Sequence, residues 1–450
     1  MTQTDEHPPD THPQTRRSRW LGSPGDRLVL AVEAGLVGAA VLVGAILNHH
    51  GVRIHADAAP IYGRWLPHIG PGTPAAVALA AIVVLRGEAW ARRLRWGRLL
   101  GAAYLAGLVW TLSLALVDGW SRGLATRLTP QAEYLHDIPK VTSVSAMLHG
   151  FSSHILDFQP GSWATHVAGH PPGAFLVFVL LDRIGLGGGV PAALLCVAVG
   201  ATAPLSVAVT LRALRNEATA RLALPFLVLW PGAIWVGASA DGLFMGVVAA
   251  GLALLAVGSW RPAVAGGLLL GYALYLSYGL VFAGALALVV LAQRTRTRLA
   301  AAVAGALGVT VVVTVFTLAG FWWLTGYHLV VQRYYQGWAA DRPYGYWVWA
   351  DLACLLLSAG PVIGPALCRA ARRRRDLRSA TVWLPLTAAF AVVAADLSGL
   401  SKAEVERIWL PYEIWLLAAV AGLPANQRRG WLAVQALIAL GLNHLLLTSW

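Results

Sequence analysis

Long apolar stretches follow one another along almost the entire chain, separated by short polar turns and by three longer polar loops. A helix crosses a bilayer with about 20 apolar residues, or somewhat fewer where the span is short or tilted. By that measure crossings are predicted near 27–47, 73–86, 98–117, 190–211, 220–238, 242–258, 263–277, 279–293, 299–318, 350–367, 380–396, 408–424 and 431–448, thirteen in all. The apolar run 171–186, introduced by Pro171-Pro172-Gly173, is expected to lie in or dip into the interface as a short helix. Counted as a crossing, it would carry Arg212, Arg215 and Arg221 to the face opposite the other arginines, against the rule that positive charge stays cytoplasmic. The fold expected is all-α: a single polytopic transmembrane bundle over 26–450 behind a polar tail at 1–25. The tail reads as disordered, with His7 and His12 solvated.

Hydrophobic residues make up 57% of the 450 positions and charged residues 12%, against about 25% charged in a soluble domain. Such a chain is one membrane bundle, not several soluble domains. The net charge of +13 would point to nucleic acid in a soluble protein. Here the arginines gather at the ends of apolar stretches, as in Arg92/Arg93/Arg95, Arg294/Arg296/Arg298 and Arg372 to Arg375. In those positions they meet anionic headgroups and fix topology, and no basic soluble domain is left to bind nucleic acid. The clusters mark one face as cytoplasmic and place the N-terminus there. Loops 118–170, 319–349 and 396–407, with the turn Ser239-Ala240-Asp241-Gly242, then fall on the other face. A multi-pass plasma-membrane protein with an extracytoplasmic working face is expected. Cys196, Cys354 and Cys368 lie in apolar stretches without zinc-ligand spacing and read as packing residues.

The outer loops carry the chemistry. The first holds Glu133-Tyr134-Leu135-His136-Asp137, Lys140, several histidines and Gly169-His170-Pro171-Pro172-Gly173. After Pro139, Val144, Met147, Leu148 and Phe151 recur at helical spacing and predict an amphipathic surface helix. Glu133 and Asp137, four apart, share a face if their stretch is helical. Two carboxylates so close repel, which raises one pKa or recruits a cation, and suits a general base or a divalent metal held with phosphates. A solvated acidic turn accounts for the pair equally well. Asp241 sits between two apolar stretches, where a carboxylate is costly and functional or else caps the next helix. Loop 319–349 is dense in Trp and Tyr, which belt membrane interfaces and also stack on sugars. Arg333, Asp341 and Arg342 are its polar exceptions, and an arginine there suits a phosphate. The last loop places Lys402, Glu404, Glu406 and Arg407 directly before an apolar stretch, with Arg407 on the wrong face for a topology signal. Lys402 either meets a phosphate or pairs with Glu406 four residues on.

No Walker sequence, Gly-rich nucleotide fingerprint or H-E-x-x-H is present. A bond-forming enzyme on the outer face needs an activated substrate delivered through the membrane, and polyprenyl-phosphate sugars meet that need. An acidic motif in the first large outer loop, a following His170-Pro171-Pro172, a hinge Pro231…Trp235…Ser239-Ala240-Asp241-Gly242 and many short spans resemble the GT-C superfamily of integral membrane glycosyltransferases. The stretch Ser401–Pro411 is similar to a signature of actinobacterial members, among them mycobacterial methylthioxylose transferases that act on the mannose caps of lipoarabinomannan. The resemblance implies a polyprenyl-phosphate-linked sugar donor and an envelope polysaccharide or glycolipid acceptor. It implies Asp137 or Glu133 as catalytic base, Asp137 preferred, or as partner of a divalent metal. His170, Lys402 and Arg407 would hold the donor phosphate, with Asp241, Glu404, Arg333 and Lys140 also at the substrate. Family members place the acidic loop after the first crossing; here it follows the third, which two additional N-terminal crossings account for.

A lipid-linked sugar transporter or flippase is the alternative, and it predicts a polar path between faces and discontinuous spans in repeated halves. Chemistry gathered on one face, with Glu33 the main ionisable group in mid-span, argues against it. A non-catalytic scaffold would leave the outer carboxylates unexplained.

Overall fold

The computed structural model describes residues 23–294, 297–377 and 379–448; His7, His12 and nearly all of the expected tail lie outside them. The fold is helical, with one small antiparallel ribbon pairing Gly63–Trp65 with Leu446–Thr448. Among the described residues, six helices are long and apolar enough to cross a membrane: Pro24–His49, Thr73–Arg93, Trp96–Asp118, Gly189–Ala213, Arg298–Leu318 and Ala380–Leu397. On Arg298–Leu318 the row Val303, Leu307, Val311, Val315 is exposed at 61%, 57%, 45% and 58%. An apolar stripe of that length facing outward is what a helix in lipid presents.

Several expected crossings differ in form. The stretch 350–367 becomes two helices, Tyr344–Ala359 and Ile363–Arg372, bent by 101°. Gly360 takes φ +91° at the corner and Pro361 follows it, so the first helix cannot continue. Over 220–238 the helix Glu217–Val228 ends before Pro231, and a single turn, Ala233–Val236, follows. The run 408–424 is divided among Val405–Ile408, Leu410–Leu416 and the 3₁₀ segment Leu417–Gly422. The expected interface helix is Pro172–Arg183, of 12 residues; at 1.5 Å per residue it spans roughly 18 Å, short of a hydrocarbon core of about 30 Å. It is packed inward: Gly173 lies so close to Tyr275 that a Cβ there would come within 2.5 Å of the Tyr275 carbonyl oxygen. In the stretch expected to form a surface helix, Val144–Gly150 is α-helical with a 3₁₀ turn after it, but Met147 and Phe151 are buried in the protein core instead of facing outward.

Contacts between connecting segments fall into two sets, one at each end of the bundle. At one end, Arg369 meets Asp26, Arg428 approaches Glu88, and Arg221 donates to the Ala91 and Leu94 carbonyls. At the other, His68 meets Asp118, the Tyr62 N–H donates to Glu406, Lys402 reaches the Ala339 carbonyl, and the Asp157 N–H donates to Gln336. The aromatic stretch 319–349 belongs to this second end, though much of it is helix, Trp323–Gln336, rather than loop. Tyr346 and Trp347 are buried packing residues; Trp322, Tyr335, Trp338 and Tyr344 remain about half exposed.

The interior carries more acid than the sequence pattern implies. Besides Glu33, the residues Asp351, Asp396, Glu406 and Glu413 are all buried. One face of Tyr344–Ala359 presents Asp351, Cys354 and Ser358 to the 403–413 segment. Asp351 accepts from the Ala403 N–H at 3.2 Å, Cys354 Sγ lies 3.1 Å from Glu406, and Ser358 donates to Glu413 at 2.8 Å. The expectation that Glu33 is the main mid-span ionisable group is therefore too narrow.

Candidate functional site

At the loop-rich end, three segments far apart in sequence meet. The first begins with the turn Pro130–Glu133, where the Glu133 N–H donates to the Pro130 carbonyl at 2.8 Å. The 3₁₀ helix Tyr134–Lys140 follows, with Pro139 inside it. A 3₁₀ helix turns once in three residues, so positions four apart lie about 120° around from each other and the face expected for Glu133 and Asp137 does not form. Glu133 Oε1 instead lies 2.9 Å from His166 Nδ1. Asp137 is fully buried elsewhere: Oδ2 accepts from the Ala164 N–H at 2.6 Å, and Oδ1 is 2.7 Å from Lys140 Nζ. That pairing folds 137–164 onto itself and also employs Lys140, which donates to the Ser162 carbonyl.

The second segment is the hinge before helix Ala240–Ala256. Ser239 caps this helix, its Oγ accepting from the Gly242 N–H at 3.3 Å and donating to the Trp235 carbonyl at 2.6 Å. Asp241, expected as either cap or functional group, is released from capping and stands in the first turn, where the helix dipole favours a carboxylate. Gly242 is required here, because a Cβ would come within 2.9 Å of the Val236 carbonyl oxygen.

Arg407, from the third segment, joins them. Its Nη1 lies 2.7 Å from Asp241, and its Nη2 lies 2.7 Å from Glu404 Oε2 and 3.2 Å from His166 Nε2. A guanidinium only donates, so a hydrogen bond between them has His166 Nε2 as its acceptor, while the Nδ1 edge of the ring faces Glu133. Arg342 binds the other oxygen of Glu404 at 3.0 Å and donates to the Lys402 carbonyl at 2.8 Å. The backbone at Ala403 and Glu404 is left-handed at both residues, φ +66° and +63°, a costly conformation for residues with a Cβ.

Burial works against the Glu404 carboxylate, yet Arg407 and Arg342 outweigh it and hold its pKa down at about 2. Burial likewise opposes the Glu133 charge, and His166 with Arg407 keeps that carboxyl below its usual range. Burial pushes the His170 imidazole down to about 4 against the pull of Asp241. His170 packs against Tyr134 and Phe244, and its Nδ1 donates to the His166 carbonyl at 2.7 Å. An imidazole so placed is uncharged near neutral pH and is poorly matched to a phosphate.

Glu133, Tyr134, His166, Asp241, Arg127 and Arg407 line a cavity of about 10 Å³, room for about one water. Of the residues expected at a site, the structure gathers Glu133, Asp241, Glu404 and Arg407 here. Lys402 stands one step away, its ammonium held by the Ala339 and Arg342 carbonyls rather than by Glu406. Arg333 pairs with Asp157, in a separate contact between the first and second outer loops. The sequence reading noted Arg342 only as one of two arginines in 319–349 suited to a phosphate, and it missed His166 and Arg127 as site residues. Arg127, held by Asp118 at 2.7 Å and by the Thr448 carbonyl at 3.0 Å, is an arginine on the loop-rich end like Arg407, and the same charge rule would have singled it out. Among the described residues, no group of three His, Cys, Asp or Glu side chains is arranged to hold a metal ion. Glu133, Asp241 and Glu404 are each engaged by arginine or histidine, so the donor set does not fit a resident divalent cation. The chain matches no protein-family model and no curated protein sequence.

Proposed function

We propose that the chain is a GT-C-type membrane glycosyltransferase. In this reading it moves a sugar from a polyprenyl-phosphate donor to an envelope polysaccharide or glycolipid on the extracytoplasmic face of the plasma membrane. The observation that carries the reading is the convergence of 133–166, 238–241 and 404–407 on one small polar cavity at the loop-rich end. The narrower expectation, methylthioxylose delivered to the mannose caps of lipoarabinomannan, rests on the resemblance of Ser401–Pro411. Thirteen crossings are part of this reading; among the described residues six helices are long and apolar enough to cross, or seven if the bent pair Tyr344–Ala359 and Ile363–Arg372 is one span.

Glu133 is the base in this reading, because it lines the cavity and Asp137 does not. The acceptor hydroxyl gives its proton to Glu133 as its oxygen bonds to the anomeric carbon. The bond from that carbon to the phosphate oxygen breaks, and polyprenyl phosphate leaves with the electron pair. Arg407, oriented by Asp241, stabilises the leaving phosphate. His166, bridging Glu133 and Arg407, keeps base and cation in register. Purified chain in vesicles, given radiolabelled polyprenyl-phosphate sugar and a mannose-capped acceptor, tests the assignment. Glu133→Gln is expected to lose transfer by 10³-fold or more, and Asp137→Asn to retain it wherever it folds. Full transfer by Glu133→Gln would remove Glu133 from the chemistry.

A transporter of lipid-linked sugar remains the second reading because of the buried row Asp351, Glu406 and Glu413 leading inward from the site. Polar groups at membrane depth mark substrate or proton paths. Under that reading, vesicles holding the purified chain move labelled polyprenyl-phosphate sugar between leaflets without adding it to acceptor. Transfer in the absence of leaflet exchange rejects it.

A further inference from the structure

The cavity as built takes about one water, and the 401–407 segment gives it Arg407 as part of its wall. Glu404 stands between two guanidinium groups in the manner of a phosphate: Oε1 on Arg342 at 3.0 Å and Oε2 on Arg407 at 2.7 Å. Forks of this kind match carboxylate and phosphate alike. Arg342 and Arg407 are buried, whereas the Glu404 side chain keeps 17% of its surface exposed, so an arriving ligand meets Glu404 first.

Charge counts in the same direction. Arg127, Arg342, Arg407 and the nearby Lys402 stand against Asp118, Glu133, Asp241 and Glu404, four cations against four carboxylates. A further anion added to this set is unfavourable; an anion exchanged for the Glu404 carboxylate leaves the balance unchanged. The backbone of this segment is strained as well: Ala403 and Glu404 hold positive φ angles while Glu404 sits between the two guanidinium groups.

We propose that Glu404 is a resident counter-anion that holds the Arg342–Arg407 clamp shut. A phosphoester anion then binds by displacing its carboxylate, opening the 401–407 segment over the cavity. This rests on the transferase reading for the source of the phosphate, a polyprenyl lipid; the clamp chemistry itself would accept free phosphate as well. No covalent step is involved. The depressed Glu404 pKa is consistent with the tight pairing that the incoming anion must replace.

The test measures binding of farnesyl phosphate and of inorganic phosphate to the purified full-length chain by calorimetry. Melting temperature serves as the control for folding. Glu404→Gln removes the competing charge and is expected to bind farnesyl phosphate at least tenfold more tightly than wild type. Ala403→Gly, which removes the strain and so favours the closed form, is expected to bind it a few-fold more weakly. This second variant carries the test by itself if Glu404→Gln does not fold. Arg342→Gln is expected to bind at least tenfold more weakly. Wild type binding farnesyl phosphate with Glu404→Gln no tighter, or Ala403→Gly no weaker, overturns the exchange and leaves the donor assignment standing. Glu404→Gln binding inorganic phosphate but not farnesyl phosphate supports the exchange and overturns the lipid donor. Neither probe binding wild type or Glu404→Gln overturns both.

Discussion

Arg407 is the residue on which the site's electrostatics turn. It is buried, and Asp241, Glu404 and His166 all contact its guanidinium. Removing one partner of a buried ion pair leaves the other charge desolvated, at a cost of about 3–5 kcal/mol. Arg407→Gln is therefore expected to destabilise the folded protein by that amount, read as a fall in melting temperature in detergent. Asp241→Asn added to it should recover part of the loss, because it removes one orphaned carboxylate. Additive losses would mean that the two groups do not share an interaction. His170 gives a pH dependence of definite sign. Its folded pKa of about 4 lies below its ordinary value of 6.5, so the fold favours the neutral ring. That contribution is fully present above pH 6.5 and is lost as pH falls through 4, reaching about 3 kcal/mol at the acid end. His170→Asn, whose amide can still donate to the His166 carbonyl, should flatten the stability profile between pH 6.5 and 4. An unchanged profile would contradict the buried neutral imidazole.

At the scale of elements, the site depends on helices being interrupted at fixed places. The capped start at Ser239 frees Asp241, and the close approach of Gly173 to Tyr275 seats Pro172–Arg183 against the 274–276 turn. Gly173→Ala forces those backbones apart, and overpacking of this kind costs about 1–3 kcal/mol. The expected readout is a lower melting temperature together with weaker transfer, since His166 lies only a few residues before this helix. A variant with wild-type stability would show that the contact gives way freely. The positions of apolar stretches were legible from hydropathy alone, because lipid forces the backbone into apolar helices. Breaks at Pro231 and at Gly360-Pro361 were visible as residues but not as bends, since Pro and Gly state that a helix can stop and not where the next one points. The 3₁₀ geometry at Tyr134–Lys140 was not legible. Pairing Glu133 with Asp137 assumed 3.6 residues per turn, and the tighter helix sent the two carboxylates to different partners.

For the whole molecule, the sorting of charge by face carries furthest. Arg407 stood out because it broke that pattern, and it lies at the centre of the site; Arg127 broke it too and lines the same cavity. Arg342 was flagged together with Arg333 and could not be told from it, nor His166 from the other histidines of its loop, because their roles come from contacts between segments distant in sequence. Arg342 reaches residue 404 and His166 reaches both 133 and 407. The same assembly explains why the interior tolerates Asp351, Glu406 and Glu413: each faces a hydrogen-bonding group across one helix interface. The most direct measurement deletes the gene in its host and compares the sugar composition and linkages of the envelope polysaccharides, with wild type, Glu133→Gln and Asp137→Asn supplied in turn. The account predicts loss of one glycosyl substituent, restored by wild type and by Asp137→Asn but not by Glu133→Gln. An unchanged polysaccharide, with lipid-linked sugar accumulating on the cytoplasmic side, would contradict it.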